Sequence, residues 1–380
     1  MKMPSTQLAA VLVEPGAAPK FEVQEIPVPV PGPNELLVRL SVTSICGSDY
    51  GMAAGHLGPT MSVLGHEGVG RVVTAGANAA HLVGDGGGSG GVHVGQRVAV
   101  CLTRDTCGSC AYCAAPDALE AAHRCEAKIF SGFKVDGTFA QFALVQARWA
   151  QPLPARFDGV PDDLVAPVLC GGVTAYKAVK SCGLTPGQWL AVPGAAGGVG
   201  AFVVAYGRAM GYRVIGLDVG KAKEAYVLSQ GAESYVDVTQ VEDLGKEVAR
   251  LTGGSGVNAV VVTAGSGAAY QSALGTLAPF GTLMCVGIPP PDAFISIHPI
   301  KIIESGIKIT GSMTGTRKDV LEALEFVRRG VVVPKVHSGK LADMTKLILE
   351  VAKGTIEGKY VVSLGDEDTA QPTVGSMVTL

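Results

Sequence analysis

Four cysteines, Cys107, Cys110, Cys113 and Cys125, follow the spacing C-x2-C-x2-C-x11-C. Gaps of two residues are poor for disulfides but let one loop wrap a single ion in a tetrahedral thiolate cage. Four thiolates leave no coordination position free, so this set predicts a structural zinc. Two further cysteines, Cys46 and Cys170, lie far apart, with His66 between them in the motif Gly65-His66-Glu67-Gly-Val-Gly70. A Cys, a His and a Cys from distant segments make a Cys2His set with an open fourth position, the pattern of a catalytic zinc. Two thiolates leave such an ion acidic enough to bind an alcohol and help it ionise. Ser48, two residues after Cys46, is a hydroxyl placed to pass on the alcohol proton, and Asp49 can orient the free ring nitrogen of His66.

A third constellation is Gly194-Ala-Ala-Gly-Gly-Val-Gly200, which lies between an expected strand at 189–193 and an expected helix. In that context Gly194, Gly197, Gly198, Val199 and Gly200 let backbone amides approach a pyrophosphate at a helix N-terminus. Asp218 ends the next strand, where a carboxylate accepts hydrogen bonds from both ribose hydroxyls. A 2′-phosphate about 4 Å from that carboxylate would be repelled by about 1 kcal/mol in water, and several-fold more in a partly desolvated cleft. The expected cofactor is therefore NAD(H) rather than NADP(H), with Lys221 the cation that would soften the preference.

These residues need two kinds of scaffold. Short β runs at 8–13, 36–42, 69–74 and 96–100, separated by turn residues, predict a β-rich first part up to about 169. From 170 strands and helices alternate: strands at 189–193, 212–218, 235–238, 258–264 and 282–287 predict a doubly wound parallel sheet. Amphipathic helices at 318–329 and 341–353 follow, and a last strand at 359–363 is expected to return to the first part. The run 84–91, with six glycines in eight residues, reads as a loop. The 380 residues exceed what one core usually supports, and 47% hydrophobic with 17% charged residues exclude disorder for the bulk. A net charge of −3 without a basic run speaks against nucleic acid or an anionic membrane as the main partner. No apolar stretch has membrane-span length without Gly or Pro, and the cysteine usage suits a reducing compartment, so a cytoplasmic protein acting on a small molecule is expected.

The chain resembles the zinc-dependent medium-chain alcohol dehydrogenases, especially their microbial tetrameric branch. The resemblance runs over about residues 8–363. It rests on Cys46-Gly-Ser-Asp49, Leu64-Gly-His-Glu-Gly-Val-Gly70, the four-cysteine loop, Pro167-Val-Leu-Cys-Gly-Gly-Val-Thr-Ala-Tyr-Lys177, the 194–200 loop, Arg208-Ala-Met-Gly-Tyr-Arg-Val-Ile-Gly-Leu-Asp218 and Gly358-Lys-Tyr-Val-Val362. It implies an α/β chain with a GroES-like catalytic domain at 1–169 and 313–380 and a Rossmann NAD-binding domain at 170–312. It also implies two zinc ions per chain, with catalytic zinc on Cys46, His66 and Cys170, and a homo-oligomer, tetramer or dimer, that interconverts alcohols and carbonyl compounds. Glu67 would be the carboxylate able to approach the catalytic zinc transiently, and Lys359 stands where the family usually has an Arg near the pyrophosphate.

The departures are informative. Gly51 replaces the histidine that often completes the proton relay, Gly47 replaces a basic residue, and the nearest histidine, His56, reads as a surface-loop residue. Leu57 and Leu102 stand where ethanol-using relatives carry tryptophan, in a chain whose Cys46 to His66 loop is three residues shorter. An aromatic side chain buries roughly 150–250 Å², so the pocket is expected to admit a substrate bulkier than ethanol. Competing readings are a reductase of iminium or conjugated C=C bonds, supported by Gly51 alone, and a silent dinucleotide-binding protein, which the retained Cys46, His66 and Cys170 oppose.

Overall fold

In the computed structural model, which describes residues 3–79, 92–115 and 121–365, six parallel strands form one sheet. Their spatial order is Ser234–Asp237, Arg213–Asp218, Trp189–Pro193, Val257–Val262, Leu277–Cys285 and Lys308–Gly311. In chain order this is 3-2-1-4-5-6, the doubly wound arrangement, with its reversal between Trp189–Pro193 and Val257–Val262. Every residue of Trp189–Pro193 is buried, as expected of a strand covered on both faces. Ligands of such sheets sit at the carboxyl ends of the strands beside the reversal, which is where the loop 194–200 begins.

The second sheet has seven strands, and its centre explains how distant residues meet. Glu35–Ser44 pairs antiparallel with Gly68–Ala75, with Thr43 opposite Gly68, so the residues just beyond each, Cys46 and His66, emerge at one end. Lys359–Ser363 pairs antiparallel on the other side of Glu35–Ser44, with Val361 opposite Ser44, and this brings Lys359 to the same end. The expected return of the last strand to the first part of the chain is thereby observed. Backbone bonds from Ser44 N–H to the Glu67 carbonyl (3.1 Å) and from Ile45 N–H to the Tyr360 carbonyl (3.0 Å) lock the three segments together.

Sequence patterning missed the strands Lys20–Pro27, Phe142–Gln146, Lys308–Gly311 and Val336–Lys340. Lys20–Pro27 buries only Phe21 fully, and Lys308–Gly311 is exposed throughout at the sheet edge, so neither carries a hydrophobic alternation. The strand expected at 282–287 runs from Leu277 to Cys285, and the helix expected from 341 opens as a 3-10 turn before Met344–Lys353. The run 84–91 lies outside the described residues.

Between the sheets, the helix Gly171–Ser181 packs against Gly200–Ala209 and Arg317–Arg328 through Tyr176, Tyr206 and Phe326, whose ring centroids are 5.5 to 5.9 Å apart. Tyr206 is fully buried, and its hydroxyl donates to the Ala323 carbonyl at 3.3 Å. Thr316 and Asp319 cap Arg317–Arg328 reciprocally, and Asp319 accepts from Lys180 at 3.2 Å, fixing that helix to the one that follows Cys170. No described helix is long and apolar enough to cross a membrane.

Candidate active site

Cys46 caps the short helix Gly47–Ala53, and Cys170 caps Gly171–Ser181, so two helix starts present thiols to the strand end that carries His66. Ligand atoms of Cys46, His66, Glu67 and Cys170 all lie within 4.8 Å of one another. The Cys46 and Cys170 sulfurs are 3.8 Å apart. A tetrahedral ion with Zn–S bonds of about 2.3 Å has S···S edges of about 3.8 Å, so donor chemistry and spacing both fit zinc. The hydrogen bond from the Cys170 thiol pulls Cys46 well below the usual thiol range, although burial opposes its charge, and Cys170 is raised in turn. Asp49 is fully buried: one of its oxygens lies 2.9 Å from His66 Nδ1, and the other accepts the Cys46 N–H at 2.8 Å. This orients His66 with Nε2 toward the cluster, and Ser48 Oγ lies 3.3 Å from that nitrogen.

Glu67 stands among these donors but is engaged elsewhere. Both of its carboxylate oxygens accept from the ammonium of Lys359, Oε2 at 2.6 Å, and the two side chains are almost wholly buried. Burial pushes the Glu67 carboxyl up to about 7 against the pull of Lys359. Burial likewise opposes the Lys359 charge, but Glu67 more than offsets it and holds the ammonium above its ordinary range. The expectation for Lys359 is thus extended: its ammonium lies against Glu67, while its Cγ would be only 3.8 Å from a side chain at Gly198 in the glycine loop.

The four-cysteine loop also closes on itself. Cys107 Sγ lies 3.5 Å from Cys125 Sγ and 3.9 Å from Cys113 Sγ, and Cys110 completes the group. Backbone N–H groups of Ser109 and Cys110 help hold the Cys107 thiol down at about 6, the charge state a metal ligand needs.

At the carboxyl end of Trp189–Pro193, Gly194 has φ +83, and a side chain at Gly200 would lie 2.0 Å from the Gly194 carbonyl oxygen. Only glycine permits this turn. The Gly197 amide closes the turn on Gly194. The Gly198 and Val199 amides, just before the helix Gly200–Ala209, have no backbone acceptor among the described residues outside that helix. Asp218 accepts from the Ala196 N–H at 2.9 Å with one oxygen, and from the Val219 N–H and Lys223 Nζ, both at 2.8 Å, with the other. This corrects the expectation for Lys221, whose ammonium pairs with Glu224 instead. A 3-10 turn at Lys221–Lys223 rotates Lys223 back toward Asp218, a geometry that spacing alone does not reveal.

Leu57 packs toward Gly51, where an added side-chain carbon would meet its Cδ1 at 3.3 Å. Leu102 is half-buried beside the turn whose Ser131 N–H bonds its carbonyl at 2.8 Å. His56 is exposed, with its ring edge-on to Tyr50 at 6.0 Å.

Comparison with known proteins matches residues 198–329 to the zinc-binding dehydrogenase family and residues 32–155 to the alcohol dehydrogenase GroES-like domain. Alcohol dehydrogenase 1 of Emericella nidulans is 36% identical over 368 residues, covering 96% of this chain and 99% of that protein. The chain belongs to the zinc-dependent medium-chain alcohol dehydrogenase family. An alcohol dehydrogenase of Schizosaccharomyces pombe is 33% identical over 96% of this chain and 99% of its own. The crystal structure of the alcohol dehydrogenase from Aeropyrum pernix superposes with a TM-score of 0.77 at 28% identity, covering 94% of this chain and 100% of that one. Membership of the family makes this chain an enzyme of alcohol and carbonyl oxidoreduction, built from a GroES-like part and a Rossmann-like parallel sheet.

Proposed function

We propose that the chain interconverts an alcohol bulkier than ethanol with its aldehyde or ketone, using NAD(H), with 170–312 as the nucleotide domain and 1–169 with 313–380 as the catalytic domain. The observation that carries the reading is the convergence of Cys46, His66 and Cys170 at zinc spacing with Ser48 beside the same nitrogen. Bound zinc supplies a Lewis acid for the substrate oxygen and bound NADH supplies hydride. Cys46, His66 and Cys170 hold the metal, Asp49 fixes the His66 tautomer, and Ser48 Oγ receives or delivers the alcohol proton. Free amides at Gly198 and Val199 bind the pyrophosphate, and Asp218, held by Ala196 and Val219 N–H groups, takes the ribose hydroxyls. Cys107, Cys110, Cys113 and Cys125 hold the second, structural zinc. The persistence of Ser48 beside His66 favours carbonyl chemistry over reduction of C=C or iminium bonds.

Leucines at 57 and 102 support the bulky substrate. Phe280, 79% exposed, lies on the strand paired with the exposed edge strand Lys308–Gly311, and Ile303, 73% exposed, lies on the helix Pro299–Ser305 that leads into it; both support a homo-oligomer that covers them. A screen of alcohols and carbonyls with NAD(H) and NADP(H), with zinc counted on the same sample, tests the reading. Two ions per chain, falling to one in Cys107→Ser, and higher kcat/KM for an aromatic or long-chain alcohol than for ethanol are expected. One ion in the wild type or a clear preference for ethanol overturns the corresponding part.

A further inference from the structure

Cys46 and His66 share a strand pair, Cys46 just after Glu35–Ser44 and His66 just before Gly68–Ala75, whereas Cys170 arrives separately, on the segment that crosses from one sheet to the other. Resting on the proposed function, which puts a metal on these three donors, we infer that Asp162 is the positioning residue that sets Cys170 against Cys46 and His66. Its carboxylate is held from two sides. Arg97 Nε donates to Asp162 Oδ1 at 2.6 Å, and Arg97 Nη2 donates to the same oxygen. Nη1 donates to the Phe157 carbonyl at 2.9 Å, and Nη2 also to the Val160 carbonyl at 2.7 Å, so all three nitrogens of this buried guanidinium engage the segment 157–162. From the other side, the Ser41 hydroxyl hydrogen-bonds Asp162 Oδ2 and lies 3.0 Å from the Val69 carbonyl. Ser41 is the extra residue of a β-bulge, since Leu40 pairs with Gly70 and Val42 with Val69, and a bulge re-aims its side chain. The Ser41 carbonyl accepts the Leu364 N–H at 2.8 Å. The strands that carry Cys46 and His66 are therefore joined at Ser41 to the segment that carries Cys170.

What lies between Asp162 and Cys170 makes that joint matter for the metal. The helix Asp162–Val165 runs directly into the 3-10 turn Ala166–Leu169, and Cys170 is the next residue. A continuous helical arm passes a displacement at one end to the other. Val165, Ala166 and Val168 are fully buried, but apolar packing is non-directional and leaves the arm free to slide along the sheet. The charge-assisted bonds at Asp162 are directional and fix the arm in place. Removing the carboxylate leaves the Arg97 guanidinium buried without its counter-charge, which the segment 157–162 relieves by moving. Cys170 itself has φ −130 and ψ −73, outside helical geometry, at the break before Gly171–Ser181. Its thiol follows the arm, and the 3.8 Å separation from the Cys46 sulfur depends on where the arm is held.

The test uses cobalt-substituted protein, in which thiolate-to-metal absorption distinguishes a two-thiolate from a four-thiolate site, and titrates each site with a chelator. Asp162→Asn is expected to lower affinity at the two-thiolate site about tenfold while the four-cysteine site is unchanged. Asp162→Leu/Arg97→Met replaces the ion pair with apolar residues, a change that is often neutral for stability. This double variant is expected to melt at the wild-type temperature yet keep the tenfold loss at the two-thiolate site, because no directional bond remains. Ser41→Ala keeps the ion pair and with it the fold, and a loss of about three- to tenfold at the same site is expected. Wild-type affinity at the two-thiolate site in any of these variants, or an equal loss at both sites in Asp162→Asn, overturns the inference. A wild type that takes up cobalt only at the four-cysteine site counts instead against the proposed function on which the inference rests.

Discussion

One carboxylate, Asp49, sets two of the metal donors: it receives His66 Nδ1 at 2.9 Å and the Cys46 backbone N–H at 2.8 Å. The first contact fixes which ring nitrogen of His66 faces the cluster, and the second fixes the start of the helix that carries Ser48. Asp49→Asn removes the charge that supports both. Metal affinity, measured by competition with a chelator, is expected to fall by about 10- to 100-fold. An unchanged affinity would mean that Cys46 and His66 are oriented by packing alone.

Cofactor choice depends on Asp218 and Lys223 together. Asp218→Asn keeps an acceptor for the Ala196 N–H but releases Lys223 from its ion pair and removes the repulsion toward a 2′-phosphate. The ratio of kcat/KM for NADH over NADPH is expected to fall by about tenfold to a hundredfold, the range of a lost charged hydrogen bond. A ratio that does not move excludes Asp218 as the discriminating group.

The glycine loop separates space from chemistry. A side chain at Gly200 collides with the Gly194 carbonyl at 2.0 Å, so Gly200→Ala lowers the melting temperature and abolishes NADH binding. A side chain at Gly198 meets only the stem of Lys359 at 3.8 Å. Gly198→Ala therefore folds as stably as wild type, and its loss is confined to NADH affinity. Equal melting temperatures for both variants would contradict the assignment of the turn.

Acid sensitivity follows from Asp319. Burial raises its carboxyl, but the Thr316 backbone and hydroxyl and the Lys180 ammonium more than reverse this and hold it below the usual range. A depressed carboxyl contributes stability above the unfolded value of about 3.9 and loses it as pH falls through the folded value. Chemical denaturation should find Asp319→Asn less stable than wild type near neutrality, with the gap closing below about pH 4. A gap independent of pH would show that the loss lies in packing of the helix Arg317–Arg328 rather than in charge.

Local spacing made part of this site readable. The four cysteines lie within one loop, and the strand, glycine turn and helix around 194–200 are contiguous, so residue order alone defines both arrangements. Cys46, Ser48, Asp49 and His66 were legible from residue type and spacing, and the pairing of Glu35–Ser44 with Gly68–Ala75 is what brings them together. The Lys359 and Glu67 pair was not, because its partners meet only through the register of a strand 292 residues away. Lys223 was missed in favour of Lys221 because a single 3-10 turn determines which lysine faces Asp218. The strands Lys20–Pro27 and Lys308–Gly311 left no pattern because little of either is buried.

The central claim is that carbonyl turnover runs at the Cys46, His66 and Cys170 cluster and that nucleotide binding does not depend on it. Cys46→Ala, assayed for NADH-dependent reduction of an aromatic aldehyde and, on the same sample, for NADH affinity by fluorescence, tests both halves. The account predicts kcat/KM reduced about a thousandfold or more with NADH affinity unchanged. Turnover persisting near the wild-type rate in Cys46→Ala would contradict it.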